Sequence, residues 1–205
     1  MTRSVPPEQD RERGIGTLRR PSPARPVVEW PRDPTGGVKA VNLSQQHQES
    51  VDLVRRWVEE GRPFRQLCQD VVSHLRARYP HYNWVGVYMV EGSVLRLWAW
   101  DGPAPTQHVE IPLHSGVCGW AASTGETVNV PDVNQDPRYL QCFLQTRSEL
   151  VVPIRQGSTV FGEIDIDSDT LAAFGPQDEA FVQAICDLLA RRAADEALTG
   201  RTLGA

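Results

Sequence analysis

Two kinds of hydrophobic spacing alternate along this chain. Between residues 44 and 60, Val51, Val54, Trp57 and Val58 recur at intervals that gather them on one face of a helix. Gly61 and Pro63 close that stretch. Pro63 also suits the first position of a second helix, where Phe64, Leu67, Cys68, Val71, Val72 and Leu75 form the apolar stripe and Pro80 ends it. The pattern then becomes strand-like. Trp84, Val85, Val87, Tyr88 and Val90 predict a strand over 83–90, and 94–100 returns after the turn Glu91-Gly92-Ser93. Further strands are expected at about 107–112, 127–130, 150–154 and 160–166, the last two joined by Gln156-Gly157-Ser158. A short helix follows Gly116, and the acidic, proline-containing stretch 131–145 has no regular period. Phe181, Ile185, Leu188 and Leu189 mark the buried face of a final helix over 176–196. This order predicts an α+β fold: a central antiparallel sheet with long helices on one face and a short helix plus loop over a ligand pocket on the other. The first and last long helices are expected to share the covered face.

Composition sets the limits. The chain has 205 residues, 40% hydrophobic and 23% charged, enough for one packed domain. Residues 1–40 hold seven of the 16 prolines and offer few core positions, so they read as a disordered basic, proline-rich tail, with the domain proper at 41–200. Eight Lys/Arg against five Asp/Glu give that tail a charge of +3 within an overall net charge of -5. The basic residues are interleaved with prolines and acids rather than clustered, which argues against a nucleic-acid arm. The net negative charge gives no case for anionic membranes. No apolar run is long enough for a transmembrane helix, and no signal-peptide core follows Met1. The expected location is the cytoplasm, where thiols stay reduced.

The chemistry concentrates between Gly116 and Ser168. Cys118 stands at the expected start of the short helix, where backbone N–H groups and the positive dipole end favour a thiolate. Cys142 lies 24 positions later in the irregular segment, beside Tyr139, Leu140 and Phe143. Glu149 precedes an apolar strand, while Asp165 and Asp167 share one face near the end of another. Three acids at one end of one hairpin require a cation, a ligand or solvent to accommodate them. Trp84 and Tyr88, four residues apart on a strand, share a face and are candidates to wall an apolar pocket. Cys68 and Cys186 fall on or beside helical core stripes and read as inert thiols. The five histidines show no metal spacing, and no metal is expected.

The segments Asn83-Trp84-Val85-Gly86-Val87-Tyr88, Gly116-Val117-Cys118-Gly119, Ser148-Glu149-Leu150-Val151-Val152-Pro153 and Gly162-Glu163-Ile164-Asp165-Ile166-Asp167-Ser168 resemble a GAF domain. More narrowly, they resemble the free methionine-R-sulfoxide reductases, over about residues 60–195. The resemblance implies a GAF-like sheet and the thiol-dependent reduction of free L-methionine-(R)-S-oxide. Cys142 matches the family's nucleophile and Cys118 a second thiol that would resolve its sulfenic acid to a disulfide. Glu149, Asp165 and Asp167 match acids that hold the substrate ammonium and protonate the sulfoxide oxygen, with Trp84 against the methyl thioether. No bound cofactor is implied. The implied partners are free methionine sulfoxide and a thioredoxin-like protein as external reductant, and the terminal helices leave room for a homodimer. His108 stands where the family commonly has a third cysteine, and Phe143-Leu144-Gln145-Thr146-Arg147 replaces small residues beside the nucleophile. The other class consistent with these residues is a non-catalytic GAF module that senses a small molecule or redox state. Ligand binding without product would distinguish it.

Overall fold

Six strands form one antiparallel sheet in the order β3-β2-β1-β6-β5-β4. The computed structural model describes residues 41–198, so the tail expected at 1–40 lies outside the described residues. The strands are β1 Trp84–Glu91, β2 Val94–Asp101, β3 Glu110–Pro112, β4 Val128–Val130, β5 Ser148–Gln156 and β6 Thr159–Ser168. The helices are α1 Gln45–Glu59, α2 Phe64–Arg78, α3 Gly116–Thr124 and α4 Pro176–Leu198.

Local chemistry sets the boundaries. The Ser44 side chain accepts from the His47 amide and caps α1. Pro63 takes the N-cap position of α2 rather than the first turn. Gly125, at φ 70°, closes α3 in the left-handed conformation. Strands β5 and β6 extend beyond the apolar runs that predict them, because polar residues at both ends continue the ladder from Ser148↔Ser168 to Gln156↔Thr159. The third strand is shorter than expected, three residues at Glu110–Pro112.

The two faces of the sheet carry different cores. On one, Val85, Val87, Met89, Leu150, Val152, Ile154, Ile164 and Ile166 pack under the helices with Phe64, Leu67, Val71, Leu75, Phe181, Ile185 and Leu189. The expected pairing of first and last helices is corrected here: α2 and α4 lie against the sheet, and α1 packs onto α4. The reason is in the residues of α1, whose buried positions include His47 and Ser50 beside Val51 and Val54. A face that polar suits other helices better than the apolar side of a sheet. Cys68 is fully buried in this layer, and burial pushes its thiol up to about 12. Cys186 is buried there too and donates to the Val152 carbonyl at 3.4 Å. Both are inert core thiols.

The opposite face is smaller and mixed. Trp84, Tyr88, Leu95, Ile111 and Val151 cluster with Val117, Cys118 and Ala121 of α3, with Tyr139 and Phe143 of the long loop against them. Gly119 allows the close approach of α3, since a Cβ there would lie 2.6 Å from the Pro112 carbonyl oxygen. Short helix and loop thus cover the second face, as the chain order predicts.

Candidate active site

Strand alternation collects the acids. Leu150, Ile164 and Ile166 point to the helical layer, so Glu149, Glu163, Asp165 and Asp167 point the other way. Register then sets their rows. Asp167 lies between Trp84 on β1 and Glu149 on β5. Asp165 lies between Gly86 and Val151, and Glu163 between Tyr88 and Pro153. Glu149 is therefore inside β5, not ahead of it as the sequence pattern implies. Glu163 is the residue missed by sequence reasoning. Its signal was present, because it stands two positions before Asp165 on the same face.

These carboxyl groups are removed from water. Glu149 is 5% exposed, Asp165 and Asp167 are 2%, and Glu163 is 0%. Glu149 Oε2, both Glu163 oxygens, Asp165 Oδ1 and Asp167 Oδ2 lie buried without a hydrogen-bond partner. Such unmet acceptors are costly unless they hold protons or meet a ligand. Burial and mutual repulsion supply the protons. Asp165 is raised to about 7 by desolvation. Desolvation and the Asp165 charge lift Glu163, Glu149 and Asp167 well above the ordinary carboxyl range.

Cys118 adjoins this acid cluster, while Cys142 lies in the long loop next to Phe143. Cys118, on the third residue of α3, is 6% exposed and its Sγ donates to Glu149 Oε1 at 3.8 Å. The helix start was expected to favour its thiolate. Burial and the charges of Asp165, Glu163 and Glu149 instead push this thiol well up. A dipole worth a fraction of a charge does not offset desolvation next to three carboxyls. Cys142 is half-buried in the loop, with Sγ 3.6 Å from the Leu140 carbonyl oxygen. Burial and the charges of Asp165 and Asp167 raise its thiol too. The charges of Asp165 and Glu149 act on both thiols. Neither is in a disulfide.

Aromatic rings close the site. Trp84 is 2% exposed, and its indole lies along β1 over Gly86, where a Cβ would come within 2.4 Å of the ring. Gly102 opens the other edge of the same ring. Phe143, next to Cys142, packs 6.0 Å from Trp84. Tyr88 is fully buried and donates to the His108 carbonyl at 2.9 Å, which leaves its ring as the surface it offers. His108 in turn meets the Gln141 carbonyl through Nε2 at 3.3 Å. The position without a third thiol is thus spatially beside Cys142. A cavity of about 370 Å³ opens between Trp84, Phe143, Thr146, Asp167 and the Pro103-Ala104 loop. That volume suits a small amino acid-sized ligand.

Residues 63–192 match the GAF domain family. The chain belongs to this family. Within it, the free methionine-R-sulfoxide reductase of Saccharomyces cerevisiae is 39% identical over 112 residues, 52% of this chain and 61% of the yeast protein. The match therefore spans less than two thirds of that relative. The solved structure of a type II free methionine-R-sulfoxide reductase from Thermoplasma acidophilum is 39% identical, with a TM-score of 0.60 over 71% of this chain and 96% of that one. That of the Neisseria meningitidis free methionine-R-sulfoxide reductase, in complex with its substrate, is 27% identical with a TM-score of 0.69, covering 79% of this chain and 99% of that one. Among the described residues, no helix is long and apolar enough to cross a membrane.

Proposed function

We propose that this GAF protein reduces free L-methionine-(R)-S-oxide to L-methionine, with Cys142 as nucleophile and Cys118 as resolving thiol. The observation that carries the reading is the Cys118 thiol on Glu149, in a buried acid row that runs through Asp167 to the Trp84 indole, with Phe143, next to Cys142, packed on that ring. Relatives named for this activity support it.

The substrate's ammonium supplies the positive charge that the acid rows lack. Glu149 and Asp167 stand at neighbouring register positions beside Trp84, so an ammonium held there lays the methyl thioether against the indole. Binding one cation lets carboxyls ionise that otherwise hold protons, and the released proton is available to the sulfoxide oxygen.

Chemistry then proceeds in two balanced steps. The Cys142 sulfur attacks the sulfoxide sulfur while an acid protonates the oxygen. The protonated oxygen then passes from the substrate sulfur to the Cys142 sulfur, the transient S–S bond breaks, and methionine leaves with Cys142 as a sulfenic acid. Cys118 displaces that oxygen as water and forms a disulfide. A thioredoxin-type dithiol then reduces the disulfide, becoming a disulfide itself. With His108 in place of a third thiol, resolution falls to Cys118.

Steady-state turnover tests the proposal. Purified protein with thioredoxin, thioredoxin reductase and NADPH is expected to consume NADPH with the free R epimer and not with the S epimer. Cys142→Ser is expected to abolish turnover. Equal rates for Cys142→Ser and the parent protein would overturn the assignment.

A further inference from the structure

We infer that Cys118, Glu149 and Asp165, with the Glu163 carboxyl beside them, form a site for a thiophilic divalent cation of the zinc type, which excludes the substrate when bound. The ligating atoms of Cys118, Glu149 and Asp165 all lie within 4.8 Å of one another. The Cys118 Sγ to Glu149 Oε1 separation is 3.8 Å. Sulfur and oxygen ligands around tetrahedral zinc stand about 3.6 Å apart, given the usual bond lengths. Small side-chain movements therefore close the cage.

A second observation points to a ligand at the same place. Glu163 is fully buried, both its oxygens lack a partner, and its carboxyl is among the charges acting on the Cys118 thiol. It stands in the row next to Asp165, beside the sulfur-plus-two-oxygen set of Cys118, Glu149 and Asp165. A thiolate in that set selects zinc or cadmium over magnesium and calcium, which take oxygen ligands. The ligands come from α3, β5 and β6 and include no histidine, so no linear spacing reveals them.

Binding of the metal stands on this geometry alone. Its regulatory consequence rests on the reductase reading, because Glu149 and Asp165 are also the acids assigned to substrate. A dication on them removes the ammonium's site, and a thiolate bound to metal cannot resolve a sulfenic acid. Conversely, the Cys118–Cys142 disulfide lacks the thiolate ligand and releases the ion. Metal occupancy is thereby limited to the reduced, substrate-free protein.

Cadmium titration of the reduced full-length protein tests this, read by the ultraviolet thiolate-to-cadmium charge-transfer band, with zinc alone titrated in parallel by calorimetry. One equivalent is expected to bind. The band is expected to vanish in Cys118→Ser, persist in Cys142→Ser and weaken in affinity by ~10-fold or more in Asp165→Asn and Glu163→Gln. Free methionine-R-sulfoxide is expected to displace the metal. No band in the folded parent protein, or a band lost with Cys142 and retained without Cys118, would overturn the site. A protein that binds cadmium this way but never turns over the sulfoxide keeps the metal site and loses the reductase reading.

Discussion

Asp165 shows how a single residue couples stability to function in this site. Its carboxyl titrates near 7 in the folded protein because it is buried without a partner for one oxygen. In the unfolded chain it titrates near 4. As pH rises between these values, the unfolded state loses its proton first, so folded stability declines. For this one group the loss is roughly 4 kcal/mol, complete above about pH 7. Asp165→Asn removes the slope. Urea unfolding is expected to find the variant about as stable as the parent at pH 4.5 and several kcal/mol more stable at pH 8, with turnover lost. Equal stabilities at pH 8 would show that the carboxyl is not desolvated in solution. Individual residues were partly legible in the sequence. Asp165, Asp167 and Glu149 stand out as acids against apolar runs, and Cys142 is marked only by the family resemblance. Local reasoning misjudged the Cys118 thiol, because the acids that oppose its ionisation come from strands 31 or more positions away.

Strands and their register do the positioning. Trp84, Asp167 and Glu149 form one row across three strands only because β1 pairs with β6 and β6 with β5. The period-2 alternation of the β5–β6 hairpin was readable from the sequence, and so was the shared face of Trp84 and Tyr88. The β1–β6 pairing was not, since it joins segments about 80 residues apart and rests on non-local contacts. Gly86 is the element's weak point as a strand residue and its strong point as a platform. A Cβ there would sit 2.4 Å from the Trp84 ring, so Gly86→Ala must displace the indole. The variant is expected to lose roughly 1–3 kcal/mol of stability by thermal denaturation. It is also expected to raise KM for the free sulfoxide far more than a surface substitution of equal stability cost. An unchanged KM would remove Trp84 from the substrate contact.

Across the whole domain, the sheet divides labour between its faces. The helical face supplies an almost wholly apolar core with inert thiols Cys68 and Cys186. The opposite face has fewer apolar residues, a short helix and an irregular loop, and it holds every unpartnered carboxyl of the site. A stable layer on one side allows the other to contain groups that weaken the fold. The same division explains why two thiols out of four are assigned to chemistry. The proposed reaction requires Cys142 and Cys118 to act in sequence on one substrate. Single-turnover mass spectrometry tests it most directly: reduced protein, no recycling thiol, and free methionine sulfoxide of each epimer in turn. The R epimer is predicted to yield one methionine per chain and a disulfide joining Cys118 to Cys142, while the S epimer leaves all four thiols reduced. Methionine released without that disulfide would remove Cys118 as the resolving thiol, and no methionine from folded protein with either epimer would rule out the reductase activity.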